Sequence, residues 1–213
     1  ADAFDLDGCG PRFLQDLEDF AEDKLPIEEL LIQNTGHFSK PGSLIALGRP
    51  ASAIALFALQ AYSPEGGRGH RTGLRGGGPL TTLILPEALP NQPQTLWRLL
   101  WANVEAGAPA APEHLPEIFP WLAPTRTSGR NEHPPLVETQ RNRFQVYWSM
   151  PRRIRLDFVA NDAGIACGID GKPDAVLATG WRRRPYGAQY ASWMHPLTAY
   201  YRQKLIDPWL PTR

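Results

Sequence analysis

Backbone breakers limit this chain more than any other feature. Its 213 residues include 22 prolines and 19 glycines. Proline fixes φ and removes a backbone donor, and glycine frees the backbone, so this density implies short elements joined by many loops. The length suits one large domain or two small ones with a substantial core. No apolar run approaches the ~18 residues of a membrane span, and nothing reads as a charged-then-apolar leader. The chain starts on Ala1 and stops at Pro211-Thr212-Arg213, which reads as a piece cut at both ends. Cys9 and Cys167 are far apart. They supply neither a four-cysteine metal site nor a disulfide framework, and a reducing cytoplasm is the default setting.

Between the breakers the apolar pattern predicts an α+β fold. Phe13, Leu14, Leu17 and Phe20 recur at helical spacing, giving an acidic helix over 12–23 with a solvated carboxylate face. A second short helix follows Pro26 over 27–32. Residues 33–50, broken by Gly36, Pro41, Gly42, Gly48 and Pro50, read as a long loop, and long loops in compact domains are commonly functional. The Ala-rich stretch 51–62 is a buried helix, 80–85 a strand, and 95–104 a helix with Leu96, Leu99, Leu100 and Val104 on one face. Residues 107–135 are proline-rich and irregular. Strands over 144–148 and 154–159 flank Pro151-Arg152-Arg153, a turn covers 168–171, and a strand covers 175–179.

The formal charge is zero but unevenly spread. Residues 1–60 carry ten Asp/Glu against four Lys/Arg, whereas the remainder carries twelve against eighteen. Most of that excess is arginine, whose planar fork suits phosphate and stacking. Such a balance accommodates a polyanion partner, and equally an ordinary solvated surface. The densest local signal is the run from Gly66 to Gly78, with seven glycines and Arg68, Arg71 and Arg75 interleaved. No Gly-Lys-Ser/Thr closes it as a P-loop, and a helix precedes it where a dinucleotide fingerprint needs a strand. It reads either as backbone able to approach a nucleic-acid groove, with arginines for phosphate, or as a surface turn. Trp181-Arg182-Arg183-Arg184-Pro185-Tyr186-Gly187 reads either as a basic loop for a minor groove or as a cationic loop stacked on its own aromatics. The five histidines show no helical metal spacing, Cys167 sits in an apolar run as a small buried hydrophobe, and no catalytic carboxylate pair stands out. No metal, cofactor or catalytic residue is expected.

Taken together, Ser52-Ala53-Ile54-Ala55-Leu56-Phe57, the glycine run and Gly73-Leu74-Arg75-Gly76-Gly77-Gly78-Pro79-Leu80-Thr81-Thr82 resemble the CasA family strongly. CasA is the large subunit of the type I-E CRISPR Cascade complex. Phe4-Asp5-Leu6-Asp7 with Pro11-Arg12-Phe13-Leu14-Gln15, and Trp193-Met194-His195-Pro196, extend the similarity over nearly the whole chain. The resemblance implies a non-enzymatic, cytoplasmic subunit of an antiviral ribonucleoprotein. That subunit recognises the protospacer-adjacent motif of double-stranded target DNA from the minor groove and assists duplex opening, while base pairing reads the target itself. Its implied partners are target DNA, CRISPR guide RNA, the other Cascade subunits and a recruited helicase-nuclease, with no membrane. Residues 1–213 correspond to part of one α+β DNA-recognition domain, shorter than the family at both ends and lacking its carboxy-terminal four-helix bundle. By position, Phe38, Ser39 and Lys40 match a first loop touching the motif region and guide RNA. Residues 65–70 match the minor-groove glycine loop (Gly66, Gly67, Arg68, Gly69, His70), with Arg71 following. Arg68 stands where the family pattern has glycine. Arg183 or Arg184 matches a basic finger that is lysine in the family. Two other classes remain in view: a structural scaffold subunit that binds RNA or protein, and a phosphate-binding enzyme using the glycine loop.

Overall fold

The computed structural model describes residues 2–31, 40, 42–64, 66–75, 82–107, 110–129, 142–190 and 193–211. In chain order its regular elements are β1 (Leu25–Pro26), β2 (Leu47–Gly48), α1 (Arg49–Tyr62), α2 (Leu96–Trp101), the single turn α3 (Leu115–Ile118), β3 (Arg153–Ala160), β4 (Val176–Arg184), β5 (Tyr200–Tyr201) and β6 (Leu210–Pro211), with short 3₁₀ turns between. The architecture is mixed α+β with an antiparallel sheet, as the hydrophobic pattern predicted.

β4 is the centre of that sheet. β3 runs along one edge, from Arg153 opposite Arg184 to Ala160 opposite Val176, with an irregularity between Asp157 and Phe158. β1 and β2 share the other edge, with Leu25 opposite Trp181 and Leu47 opposite Ala178. Side chains alternate across a strand, so Ile154, Leu156, Trp181 and Arg183 share one face while Arg153, Arg155, Arg182 and Arg184 share the other. The first face is covered by α1, whose Ala55, Leu56 and Leu59 join Ile154, Leu156 and Trp181 in the main core. The N-cap residue Gly48 offers no side chain to α1; Asp174, distant in sequence, instead accepts from the Arg49 N–H at 2.8 Å while pairing with its guanidinium at 2.7 Å. That contact holds Asp174 down to about 2.

Several expectations are corrected. Residues 12–23 form no helix; they run as a strap of turns and bends along β3. Of their carboxylates only Asp16 is buried; Glu18, Asp19 and Glu22 stay solvent-facing, but each is paired with an arginine of β3 or β4 rather than lying free on a helix face. Asp16 pairs with Arg153 at 2.6 Å, Glu18 with Arg153 at 2.9 Å and Arg184 at 3.0 Å, Asp19 with Arg155 at 2.8 Å, and Glu22 with Arg184 at 2.6 Å. Tertiary charge pairing overrides a helical period here, helped by Gln15, which donates to the Leu6 carbonyl and accepts from the Leu156 N–H. Residues 144–148 lie in a 3₁₀ turn, Arg143–Trp148, rather than a strand. Of the strand expected over 80–85, residues 80 and 81 lie outside the described residues and 82–85 belong to no strand; Asn103 instead bonds both the N–H and the carbonyl of Ile84. The helix expected over 95–104 covers Leu96–Trp101 and leaves Trp97 and Trp101 stacked and exposed. The strand expected over 175–179 extends to Arg184, so the triple arginine lies in a strand and not in a loop. Cys167 is buried and Cys9 exposed, both as free thiols. No helix among the described residues is long and apolar enough to cross a membrane.

The strap carries a direct prediction. Asp16 is fully buried with its carboxylate against Arg153, and truncating one partner strands the other as a buried charge. Asp16→Ala should cost about 3–5 kcal/mol in urea unfolding. Glu22→Ala, which removes a solvent-facing pair with Arg184, should cost less than about 1 kcal/mol.

Candidate nucleic-acid interface

The glycine run begins where α1 ends. Ser63 accepts the returning chain through its carbonyl, from the Gly73 N–H at 2.8 Å, and the Arg75 N–H reaches the Ala61 carbonyl at 3.2 Å. Between these anchors the chain turns back on itself: the His70 N–H donates to the Gly67 carbonyl at 2.8 Å and the Gly66 N–H to the His70 carbonyl at 3.3 Å. Three successive residues, Gly67, Arg68 and Gly69, hold positive φ, a conformation that favours glycine.

The individual glycines have different causes. A Cβ on Gly66 would collide with the Arg152 guanidinium, and one on Gly69 would meet the Tyr186 ring at 2.6 Å. Both are demanded by packing inside the protein. A Cβ on Gly67 would meet nothing within 4 Å, so Gly67, with exposed Arg68 beside it, forms the outward tip. The turn is docked onto the end of β4 by the Tyr186 N–H, which donates to the Gly69 carbonyl at 2.8 Å. Tyr186 itself has φ of 65°.

That docking decides which arginine joins the turn. Arg183 shares a small cleft with His70, Arg152, Leu59, Ile154 and Trp181, and its guanidinium lies 5.7 Å from the Trp181 ring centroid. Arg184 points to the other face, chelated by Glu22 and Glu18 and stacked on Phe20 at 4.5 Å. Arg182 is likewise held by Asp157 and the Glu22 carbonyl. Arg71 is committed to a brace, donating through Nε and Nη2 to Ser128 Oγ at 2.9 and 2.6 Å. Lys40 is exposed. Phe38, Ser39 and Glu65 lie outside the described residues. The structure therefore gathers Gly66, Gly67, Arg68, Gly69, His70 and Arg183 at one edge and keeps Arg184 apart from them.

Among the described residues the edge is basic. Among the described residues no carboxylate pairs with Arg68, Arg152 or Arg183. His70 is driven down to about 4 by burial, then by Arg183 and Arg152, so it is a neutral imidazole at pH 7. Arg152 is lowered to about 10 by burial and by Arg183. Sequence reasoning places Arg152 only in the segment Pro151-Arg152-Arg153 between two expected strands and gives Tyr186 no role at the glycine turn. Arg152 was findable in principle, since it lies two residues before Ile154 and so on the same side, but only the β3/β4 register brings it beside Arg183. The other strong motifs serve the fold. Arg75 donates to the Tyr62 hydroxyl and the Leu197 carbonyl, and Leu74 and Trp193 share a second small core. Among the described residues no cluster of metal-ligating side chains occurs.

Two histidines make the acid limb of stability predictable. His70 and His195 both sit at about 4, below the ordinary 6.5. The unfolded chain therefore binds protons first, and stability falls as pH drops from about 6.5 toward about 4. Following the His70 imidazole by NMR, Arg183→Ala should move its titration upward toward 6.5, because a like charge is removed.

A family model for CRISPR-associated protein Cse1 matches residues 1–213. The chain therefore belongs to the Cse1 (CasA) family, whose members serve as the non-catalytic large subunit of Cascade.

Proposed function

We propose that this chain recognises the protospacer-adjacent motif of double-stranded target DNA and assists its opening. The outward tip of the glycine turn would enter the minor groove, and Arg183 would act as the basic finger beside it. The observation that carries this reading is the segregation of arginine by face: Arg153, Arg155, Arg182 and Arg184 are matched by the acidic strap and Asp157, while Arg68 and Arg183 flank the turn without a carboxylate partner among the described residues. A slender glycine tip between cations fits a groove whose walls are phosphate and whose floor is negative. In this reading Phe38, Ser39 and Lys40 touch the motif region and guide RNA. Sister Cascade subunits hold the assembly, and a helicase-nuclease is recruited once the duplex is open.

The test compares motif-bearing and motif-less duplexes bound by the assembled complex across a salt series. Arg183→Ala should weaken duplex binding and flatten the slope of log affinity against log salt by about 0.9, one phosphate equivalent. Arg183→Lys should retain most binding. Arg184→Ala should leave the slope unchanged, since its charge is already spent on Glu22 and Glu18. If Arg184→Ala gave the larger loss, the assignment of the finger would be wrong; if wild type ignored the motif, the chain would be a scaffold. Gly67→Asn, which tolerates positive φ, should fold normally yet bind duplex more weakly than wild type.

A further inference from the structure

Arg152 is among the most buried cations of the described residues, 4% exposed, and its partners are neutral. Nε donates to Ser63 Oγ at 3.2 Å and Nη2 to the Pro64 carbonyl at 2.5 Å. Its backbone is clamped from both sides by Gln60, which accepts from the Arg152 N–H at 3.0 Å and donates to its carbonyl at 2.8 Å. The charged groups that line its cleft among the described residues are also basic: Arg183, and the His70 ring when protonated. Burying a cation with no opposite charge is costly, and an aliphatic side chain would fill the same volume without that cost. The guanidinium meanwhile lies directly beneath Gly66, where even a methyl group would collide with Nη1. It therefore touches both the stem of the glycine turn, through Ser63 and Pro64, and the turn itself.

We propose that Arg152 is a positioning residue of the nucleic-acid interface: its buried guanidinium seats the glycine turn and adds a fixed positive charge behind Arg183 and Arg68, so that duplex phosphate is drawn to the turn. This rests on the reading of the turn as a duplex-binding surface. It does not require that a motif be read. In the free protein Arg152 and Arg183 repel each other across the cleft, and a phosphate outside them relieves that repulsion. The charge cannot itself touch DNA, because the turn covers it. Its effect runs through the geometry of 66–70 and through the field at Arg183.

The experiment uses the assembled complex with a motif-bearing duplex, a motif-less duplex and a single-stranded target that needs only guide pairing. Arg152→Met keeps the volume and removes the charge; it should lower affinity for both duplexes about tenfold and leave the single strand unaffected. Arg152→Lys should recover most of that loss, which a purely steric role would not predict. Should Arg152→Met fail to fold, Gly66→Ala carries the test, since it lifts the turn off the same guanidinium; the same selective duplex loss is expected. Unchanged duplex binding in Arg152→Met, or in Gly66→Ala, overturns the proposal, as does an equal loss on duplex and single strand. Wild-type complex that binds both duplexes equally overturns the motif reading instead, and Arg152→Met is then still judged by its loss of general duplex affinity.

Discussion

The two-residue period of β4 is the constraint from which the rest of the interface follows. Trp181, Arg182, Arg183 and Arg184 are consecutive, and a strand sends neighbours to opposite faces. Trp181 is 1% exposed, with its indole N–H on the Pro26 carbonyl at 3.1 Å, which fixes which face is inward. A slip of one residue against β3 would bring this indole to the charged face and press Arg182 and Arg184 into the core, so the register is strongly specified. Arg183 consequently leaves the sheet on the side of α1, past the last core residues, where the chain from α1 turns back.

The acidic strap completes the separation. Asp16, Glu18, Asp19 and Glu22 neutralise Arg153, Arg155 and Arg184 on one face, and Asp157 pairs with Arg182 there, whereas Arg152, Arg183 and Arg68 on the other side have no such partner among the described residues. A chain of zero formal charge thus presents a local positive edge. The pairs are not equal in weight: the buried one between Asp16 and Arg153 holds the strap in place, and the outer ones at Asp19 and Glu22 mainly dispose of charge. The proposed duplex binding would gain from this arrangement, since a basic surface on all sides would hold duplex in many orientations.

The glycine run also divides when its neighbours are known. Gly66 makes room for Arg152, Gly69 for Tyr186, and Gly73 for the close pass of the backbone at Ala61 and Ser63. Gly67 alone of these four points into open space. Arg68 adopts φ of 46° beside it and adds a charge at the exposed tip.

Local and compositional features were legible in the residues alone: the loop-rich α+β class, the α1 helix, the core of β3, a buried Cys167, the family, and the existence of a glycine run and a basic cluster. These are set by short-range periodicity and breaker residues, which act within a few positions. The strap at 12–23 and the turn at 143–148 were misread because their apolar spacing fits a helix or a strand, while pairing with distant residues decided their conformation. The separation of Arg183 from Arg184, the contacts of Arg152, and the division of the glycines depended on tertiary structure alone. Each rests on strand register and on contacts between segments far apart in the chain, and neither is written in the spacing of any one of them.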